Sequence, residues 1–257
     1  MLELHNVEKT FGRGTINEKR ALTAIDLRLA PGDFVTVIGS NGAGKSTLMN
    51  CIAGVYPVDG GTILLAGEDI TRQPEYRRAR RIGRVFQDPL KGTAFDMTIE
   101  ENLSIAYAKN RSHGLQRGIS RRERELFREK LAMLNMGLED RKKQKARLLS
   151  GGQRQALTLF MAVISEPKLL LLDEHTAALD PSAARKVLEL TNHFAGQGGL
   201  CTMMITHNMK AALEHGNRTI LMQDGRIVMD ISGPEREEMT VEKLIEKFEI
   251  DNDRMLL

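Results

Sequence analysis

The nine residues GSNGAGKST, 39–47, restrict this chain more than any other stretch. They fit GxxxxGK[ST] and lie between an apolar run, FVTVIG, and a segment with helical patterning from Lys45 to about Ala53. That strand–loop–helix context gives the match its meaning. Gly39, Gly42 and Gly44 let a loop completed by Ser40, Asn41 and Ala43 wrap an anion with its backbone N–H groups. The helix that follows adds the partial positive charge of its N-terminus. Lys45 is placed to reach the outer phosphates of a nucleotide, and Ser46, followed by Thr47, offers a hydroxyl to Mg²⁺.

LLLLDEHTAALD, 169–180, poses the complementary problem. Four leucines predict a deeply buried strand, yet it finishes on two adjacent acids whose repulsion and desolvation are costly without a positive partner. Taken alone, the pair is a strand meeting solvent. Beside a phosphate loop it acquires a purpose. Side chains alternate along a strand, so Asp173 and Glu174 need not face one site. Asp173 can then hold Mg²⁺, and Glu174 is left to polarise an attacking water as general base.

Other chemistries have little support. The two cysteines, Cys51 and Cys201, sit in apolar contexts and read as small core residues. The six histidines lack zinc-ligand spacing, and Trp is absent. Net charge is only +3, although basic residues cluster at 77–84, 117–124 and 141–147; the default reading of such runs is solvated helix faces. Neither a leader-like start nor an apolar run of membrane-spanning length is visible, so the chain reads as soluble and cytoplasmic.

Along the chain, LELHNVEKTF alternates as a half-buried strand, and ALTAIDLRLAPGDFVTVIG gives two strands around a Pro-Gly turn. Gly54 reads as the C-cap of the helix after the phosphate loop. GGTILLAGEDI and RRIGRVFQ supply further strands, the latter entered from a basic helix. From Thr98 to about Arg147 the pattern is helical and charged, with SRRERELFREKLAMLNM the clearest amphipathic stretch. Strands return in KLLLLDE, LCTMMITH and TILMQDGRIVMDI, and MTVEKLIEKFE ends the pattern as a helix before a polar tail. These segments predict an α/β core at 1–87 and 166–232, a helical insertion at 88–165, and a C-terminal helix and tail at 233–257. The alternation favours a mainly parallel sheet. LLSGGQRQ, 148–155, adds a second anion-friendly helix end: Ser150 as N-cap, with Gly151, Gly152 and Gln153 in the first turn.

Taken in order, these motifs resemble the ATPase subunits of ABC transporters over nearly the whole chain. GSNGAGKST is similar to the family's Walker A, Gln87 in VFQDP to its Q-loop, and LSGGQ to its signature. LLLLDE is similar to Walker B, AALD with Asp180 to the D-loop, and His207 in MMITHN to the switch histidine. Phe11 stands where the family places an aromatic under adenine.

The resemblance implies a P-loop NTPase of the RecA-like kind, with N-terminal antiparallel strands and an inserted helical subdomain. It implies Gln87 beside Ser46 and Asp173 at the metal, and His207 holding Glu174 and the water. It implies ATP and Mg²⁺ as ligands, a head-to-tail homodimer sandwiching two nucleotides, and a separate transmembrane permease. An extracytoplasmic substrate-binding protein would complete an importer at the cytoplasmic face of the membrane. The lipoprotein-dependent tryptophan/tyrosine branch is the most similar in DEHTAALDP and QALTLFMA.

Three features depart from the family. His175 replaces the usual proline after the glutamate, Met161 replaces an arginine after the signature, and 88–103 is long and glycine-containing. His175 is read as a turn variant, not a metal ligand. A soluble ABC ATPase of nucleic-acid repair, translation or Fe–S assembly is the alternative. The nucleic-acid readings are disfavoured by one phosphate loop and the lack of long heptads, so no nucleic-acid partner is expected, whereas the two cysteines speak neither for nor against Fe–S assembly.

Overall fold

The computed structural model describes residues 1–109 and 118–253. Arg117, part of the expected helical stretch (110–117) and the end of the polar tail (254–257) lie outside the described residues. The first elements are β1 (Leu2–Phe11), β2 (Lys19–Leu29), β3 (Phe34–Gly39), α1 (Lys45–Ala53), β4 (Gly60–Leu65), β5 (Glu68–Asp69) and α2 (Glu75–Arg78). Next come β6 (Ile82–Val85), α3 (Ile99–Ala108), α4 (Arg121–Ala132), α5 (Gly151–Val163), β7 (Leu169–Asp173) and α6 (Pro181–Ala195). β8 (Cys201–Ile205), α7 (Met209–Glu214), β9 (Arg218–Gln223), β10 (Arg226–Ser232), α8 (Gly233–Glu237) and α9 (Val241–Asp253) complete the order. Two compact units result: Met1–Arg78 with Gly198–Leu257, and Ala79–Gln197.

In the first unit β2, β1, β4 and β5 form an antiparallel sheet, while β3 runs parallel to β8 and β9, with β10 antiparallel outside β9. Every residue of β3 and β8 is buried, so these strands carry no alternation, as a parallel strand covered on both faces requires. β1 alternates only in part: Leu2 and Leu4 are buried, then Val7. The slip comes at Asn6, whose φ is 48° and whose N–H donates to Asp26 Oδ1 at 2.8 Å. α1 has the expected limits, with Gly54 at φ 86° as its C-cap. Both cysteines are buried and unlinked, and burial lifts the Cys51 thiol to about 11.

The solvated reading of the 77–84 run fails at Arg78, which is only 3% exposed. Its Nη1 donates to Cys51 O (2.8 Å) and Ile52 O (2.9 Å), its Nε to Gln73 O (2.9 Å) and its Nη2 to Thr71 O (2.9 Å). At the end of α1, among the described residues, Cys51 O accepts a backbone bond only from the Gly54 N–H (3.2 Å), and a guanidinium fork can serve it and the neighbouring Ile52 O at once. Burial lowers the Arg78 pKa from the ordinary arginine value. Arg77 and Arg80, by contrast, are exposed as expected. The C-terminal helices are docked onto this unit: Leu244 of α9 packs with Ile38, Ala212 and Leu221. Arg236 donates to Thr219 Oγ1 (3.0 Å) and to the carbonyls of Ala212 (3.1 Å), Leu213 (2.9 Å) and His215 (2.7 Å).

In the second unit β6 and β7 pair in parallel, from Ile82↔Leu169 to Val85↔Leu172. α5 is its central helix, and Phe160 stacks on Phe194 of α6 with centroids 6.3 Å apart. α3 and α4 open with capping boxes, Thr98/Glu101 and Ser120/Glu123. α4 buries only Phe127 and Leu131 and stops at Ala132, short of the amphipathic stretch read from the sequence. α6 and α7 escape the sequence reading, although Asp180-Pro181 and Asn208 are legible start signals. Among the described residues no helix is long and apolar enough to cross a membrane.

Arg78→Met should lower stability by about 2–4 kcal/mol, because it strands buried carbonyls that now accept from a charged donor. Arg80→Met should leave the urea midpoint in place. Equal midpoints for the two variants would overturn the clamp.

Candidate functional site

The phosphate-loop geometry follows from how tightly its two ends are held. Gly39 ends β3 at φ 150°, and a Cβ there would lie 2.2 Å from Met222 O on the neighbouring strand β9. Gly42, at φ 87°, sits at the exposed tip, where a Cβ would meet nothing nearer than Lys19 Nζ at 3.5 Å. The β9–β10 turn backs the loop: Gly225 N–H donates to Ala43 O (3.0 Å) and Thr23 N–H to Gly225 O (2.8 Å). Sequence reading missed Gly225, although Asp224-Gly225 between two strands is a plain hairpin signal.

α1 then begins at Lys45, with no side-chain cap on its N-terminus and no acid in its first turn. A helix end so arranged favours an anion. Lys45 is 6% exposed, and its Nζ donates to Gly39 O (2.7 Å) and Ser40 O (2.9 Å), holding the ammonium across the loop. Asn41 and Ser46 are exposed, Ser40 and Thr47 half-buried, and Ala43 and Gly44 buried. Loop, cation and helix end therefore fit a polyphosphate.

Strand register brings His207 to the same edge. Val37 of β3 is level with Ile205 of β8, and Thr206 N–H continues the ladder to Val37 O at 3.2 Å. His207 thus leaves β8 where Gly39 leaves β3, exposed, just before Asn208 caps α7 through Ala211 N–H at 3.0 Å. Phe11 closes β1 half-buried, its ring edge-on to Tyr56 at 5.3 Å and 5.5 Å from the Lys9 ammonium.

The second unit repeats the device. Because Val85 is level with Leu172, Gln87 and the acids emerge side by side beyond β6 and β7. β7 ends at Asp173, and Glu174 has a φ of 47°. Alternation along a strand is therefore not what parts the two acids. A left-handed turn re-aims the second, closed by Ala177 N–H to Glu174 O at 3.0 Å. Gln87 is exposed, and the loop after it is built rather than loose. Leu90 N–H donates to Asp88 Oδ1 (2.9 Å), Thr93 and Thr158 hydroxyls pair at 2.9 Å, and buried Asn102 exchanges bonds with Ala94 (2.8 and 3.0 Å).

Ser150 caps α5 as expected: its Oγ accepts from Gln153 N–H (3.3 Å), and Gln153 Oε1 accepts from Ser150 N–H (3.2 Å). Gly151 is exposed, and a Cβ on Gly152 would stand 2.8 Å from the Ala183 Cβ. Asp180 caps α6, its Oδ1 accepting from Ser182 N–H (3.1 Å) and Ala183 N–H (3.0 Å). Met161 is half-buried on α5. His175 is buried and bonded to Thr191, a partner that sequence reading missed.

A family model described as "ABC transporter" matches residues 22–177. A tyrosine transport ATP-binding protein of Clostridioides difficile (strain R20291) is 41% identical over 249 residues, covering 97% of this chain and 99% of that protein. The chain belongs to the ABC transporter family. It is an ATP-hydrolysing subunit of that family, with the P-loop NTPase fold and mainly parallel core expected of it. A dimeric post-hydrolysis state of an ATP-binding cassette bound to ADP and Pi superposes with a TM-score of 0.76 at 29% identity, covering 90% of this chain and 98% of that one. The ADP conformation of another transporter cassette reaches 0.80 at 26% identity, covering 97% and 98%.

The two ends of the loop make opposite demands on an added methyl. Gly39→Ala should destabilise the ABC subunit by several kcal/mol, because a Cβ meets rigid backbone. Gly42→Ala should lose only about 1–2 kcal/mol for its left-handed conformation. Urea unfolding ranks the two, and the reverse order would contradict this loop geometry.

Proposed function

We propose that this ABC ATPase energises the import of an amino acid or similar small solute through a separate permease, working as a head-to-tail homodimer at the cytoplasmic face of the membrane. The carrying observation is the buried Lys45 ammonium on a glycine-backed loop that opens an uncapped helix. In this reading Lys45 and the 39–47 backbone, from Gly39 through Thr47, bind the phosphates, with Phe11 beneath the adenine. Bound Mg²⁺ would neutralise charge on the transferred phosphoryl group. Its residues would be the Ser46 hydroxyl, the Asp173 carboxylate and the Gln87 amide oxygen, a hard oxygen set suited to that ion. Glu174 takes a proton from the attacking water, and His207 orients both. Ser150, Gly151, Gly152, Gln153 and Asp180 serve the nucleotide of the second subunit, which a two-fold dimer makes possible from one surface pair.

The named tyrosine-transport relative supports an amino acid as the solute, and an extracytoplasmic binding protein would deliver it. The functional division is a nucleotide core of 1–87 and 166–232, a helical signature region of 88–165, and the C-terminal piece 233–257. The permease docks on Gln87 to Glu101. That loop runs from a nucleotide-sensing side chain to a buried anchor at Asn102, and it presents Leu90 with 55% of its surface exposed.

Lys45→Ala should cut ATP hydrolysis by about 10²-fold or more and weaken nucleotide affinity in parallel, since it removes a desolvated charge from the phosphates. Unchanged turnover would remove the phosphate-loop role. A photo-crosslinker at Leu90 should capture a multi-span membrane protein from native membranes. Capture of soluble proteins or nucleic acid alone would reject the transporter reading in favour of the soluble ATPase.

A further inference from the structure

We infer that His175 is a positioning residue for Glu174, holding the general base through Thr191 of α6. The inference rests on the reading of Glu174 as general base. Glu174 has a left-handed backbone at φ 47°, a conformation that is unfavourable for a residue with a Cβ and persists only where its surroundings over-determine it. The turn bond from Ala177 N–H to Glu174 O fixes the downstream side. Its immediate neighbour is His175, only 3% exposed, with Nε2 3.0 Å from the Oγ1 of fully buried Thr191.

The direction of that bond can be deduced. Thr191 Oγ1 lies 2.9 Å from Val187 O, one helical turn back. A carbonyl only accepts, so the single hydroxyl proton of Thr191 is committed there. Thr191 must then accept from His175, which fixes the imidazole as the Nε2–H tautomer. A proline, the family's usual residue at this position, has neither N–H nor polar side chain and stiffens a turn by locking φ. Here a side-chain hydrogen bond replaces that covalent stiffness.

What Glu174 gains is the rigidity of α6. That helix is capped by Asp180, pressed against Gly152 through Ala183, and stacked through Phe194 on Phe160. The tie therefore carries the position of the signature helix, α5, to the turn that bears the base. A base displaced by a fraction of an ångström loses rate without losing substrate, because positioning acts on the reaction step and not on phosphate binding.

The test is a double-mutant cycle on the full chain, reading kcat and KM for ATP hydrolysis together with the urea midpoint. Thr191→Val keeps shape and removes the acceptor. It should lower kcat by about 10–100-fold with KM for ATP within about twofold. Thr191→Ser restores the hydroxyl and should return kcat to within about threefold of the parent. In a Glu174→Gln background, Thr191→Val should cause no further loss, because the residue it positions is already gone.

Should Thr191→Val fail to fold, the pair His175→Gln and His175→Leu asks the same question. Gln keeps an N–H donor at similar reach and should retain most of kcat, whereas Leu should not. A parental kcat in Thr191→Val, a failure of Ser to rescue, or an equal further loss in the Glu174→Gln background overturns the positioning role. Parental hydrolysis by Glu174→Gln alone rejects instead the general-base reading beneath it.

Discussion

Parallel strand pairing is the constraint on which the chemistry depends. Two parallel strands in register deliver their C-terminal ends to one edge, and whatever follows them emerges side by side. In the first unit Val37↔Ile205 sets the phosphate loop beside His207. In the second Val85↔Leu172 sets Gln87 beside Asp173 and Glu174. A slip of one residue in either pair would turn the buried runs FVTVI and LLLL against their own packing, so the hydrophobic core holds the register and the register holds the site.

What the register delivers, local backbone chemistry then shapes. At the phosphate loop this needs close backbone approach: Gly39 passes so near Met222 that no Cβ fits, and Gly225 buttresses Ala43 from behind. At the acids it needs a reversal of direction, which Glu174 supplies by its left-handed conformation. Only α1 begins directly at the phosphate loop, and its end differs from those of α5 and α6. α5 and α6 satisfy their first amides with Ser150 and Asp180, whereas α1 has only Gly44 and a buried lysine. In the proposed reaction the end without a side-chain cap receives the phosphates of the subunit's own nucleotide, and the capped end of α5 meets that of the second subunit.

Much of this was legible in the sequence because the relevant signals are local. GxxxxGK[ST] names its own loop and helix, LSGGQ contains its own cap, and runs of buried β-branched and leucine residues mark the parallel strands. Long-range partners were not legible. Nothing in RRARR distinguishes Arg78, which clamps the end of α1, from the exposed Arg77 and Arg80, because burial depends on where the following strand turns. His175 read as a turn variant because its partner, Thr191, lies sixteen residues away across a helix that was not anticipated. The alternation rule likewise misled at Glu174: it holds within β7, and the strand ends one residue earlier.

The most direct measurement separates the two acids by oligomeric state. Glu174→Gln retains size and hydrogen-bonding reach while removing the base, so it should bind Mg–ATP, hydrolyse it slowly and elute from a sizing column as a nucleotide-dependent dimer. Asp173→Asn weakens the metal set itself and should remain a monomer under the same conditions. If both variants hydrolyse ATP at the parental rate, or if Glu174→Gln never dimerises with Mg–ATP, the division of labour between Asp173 and Glu174 is contradicted.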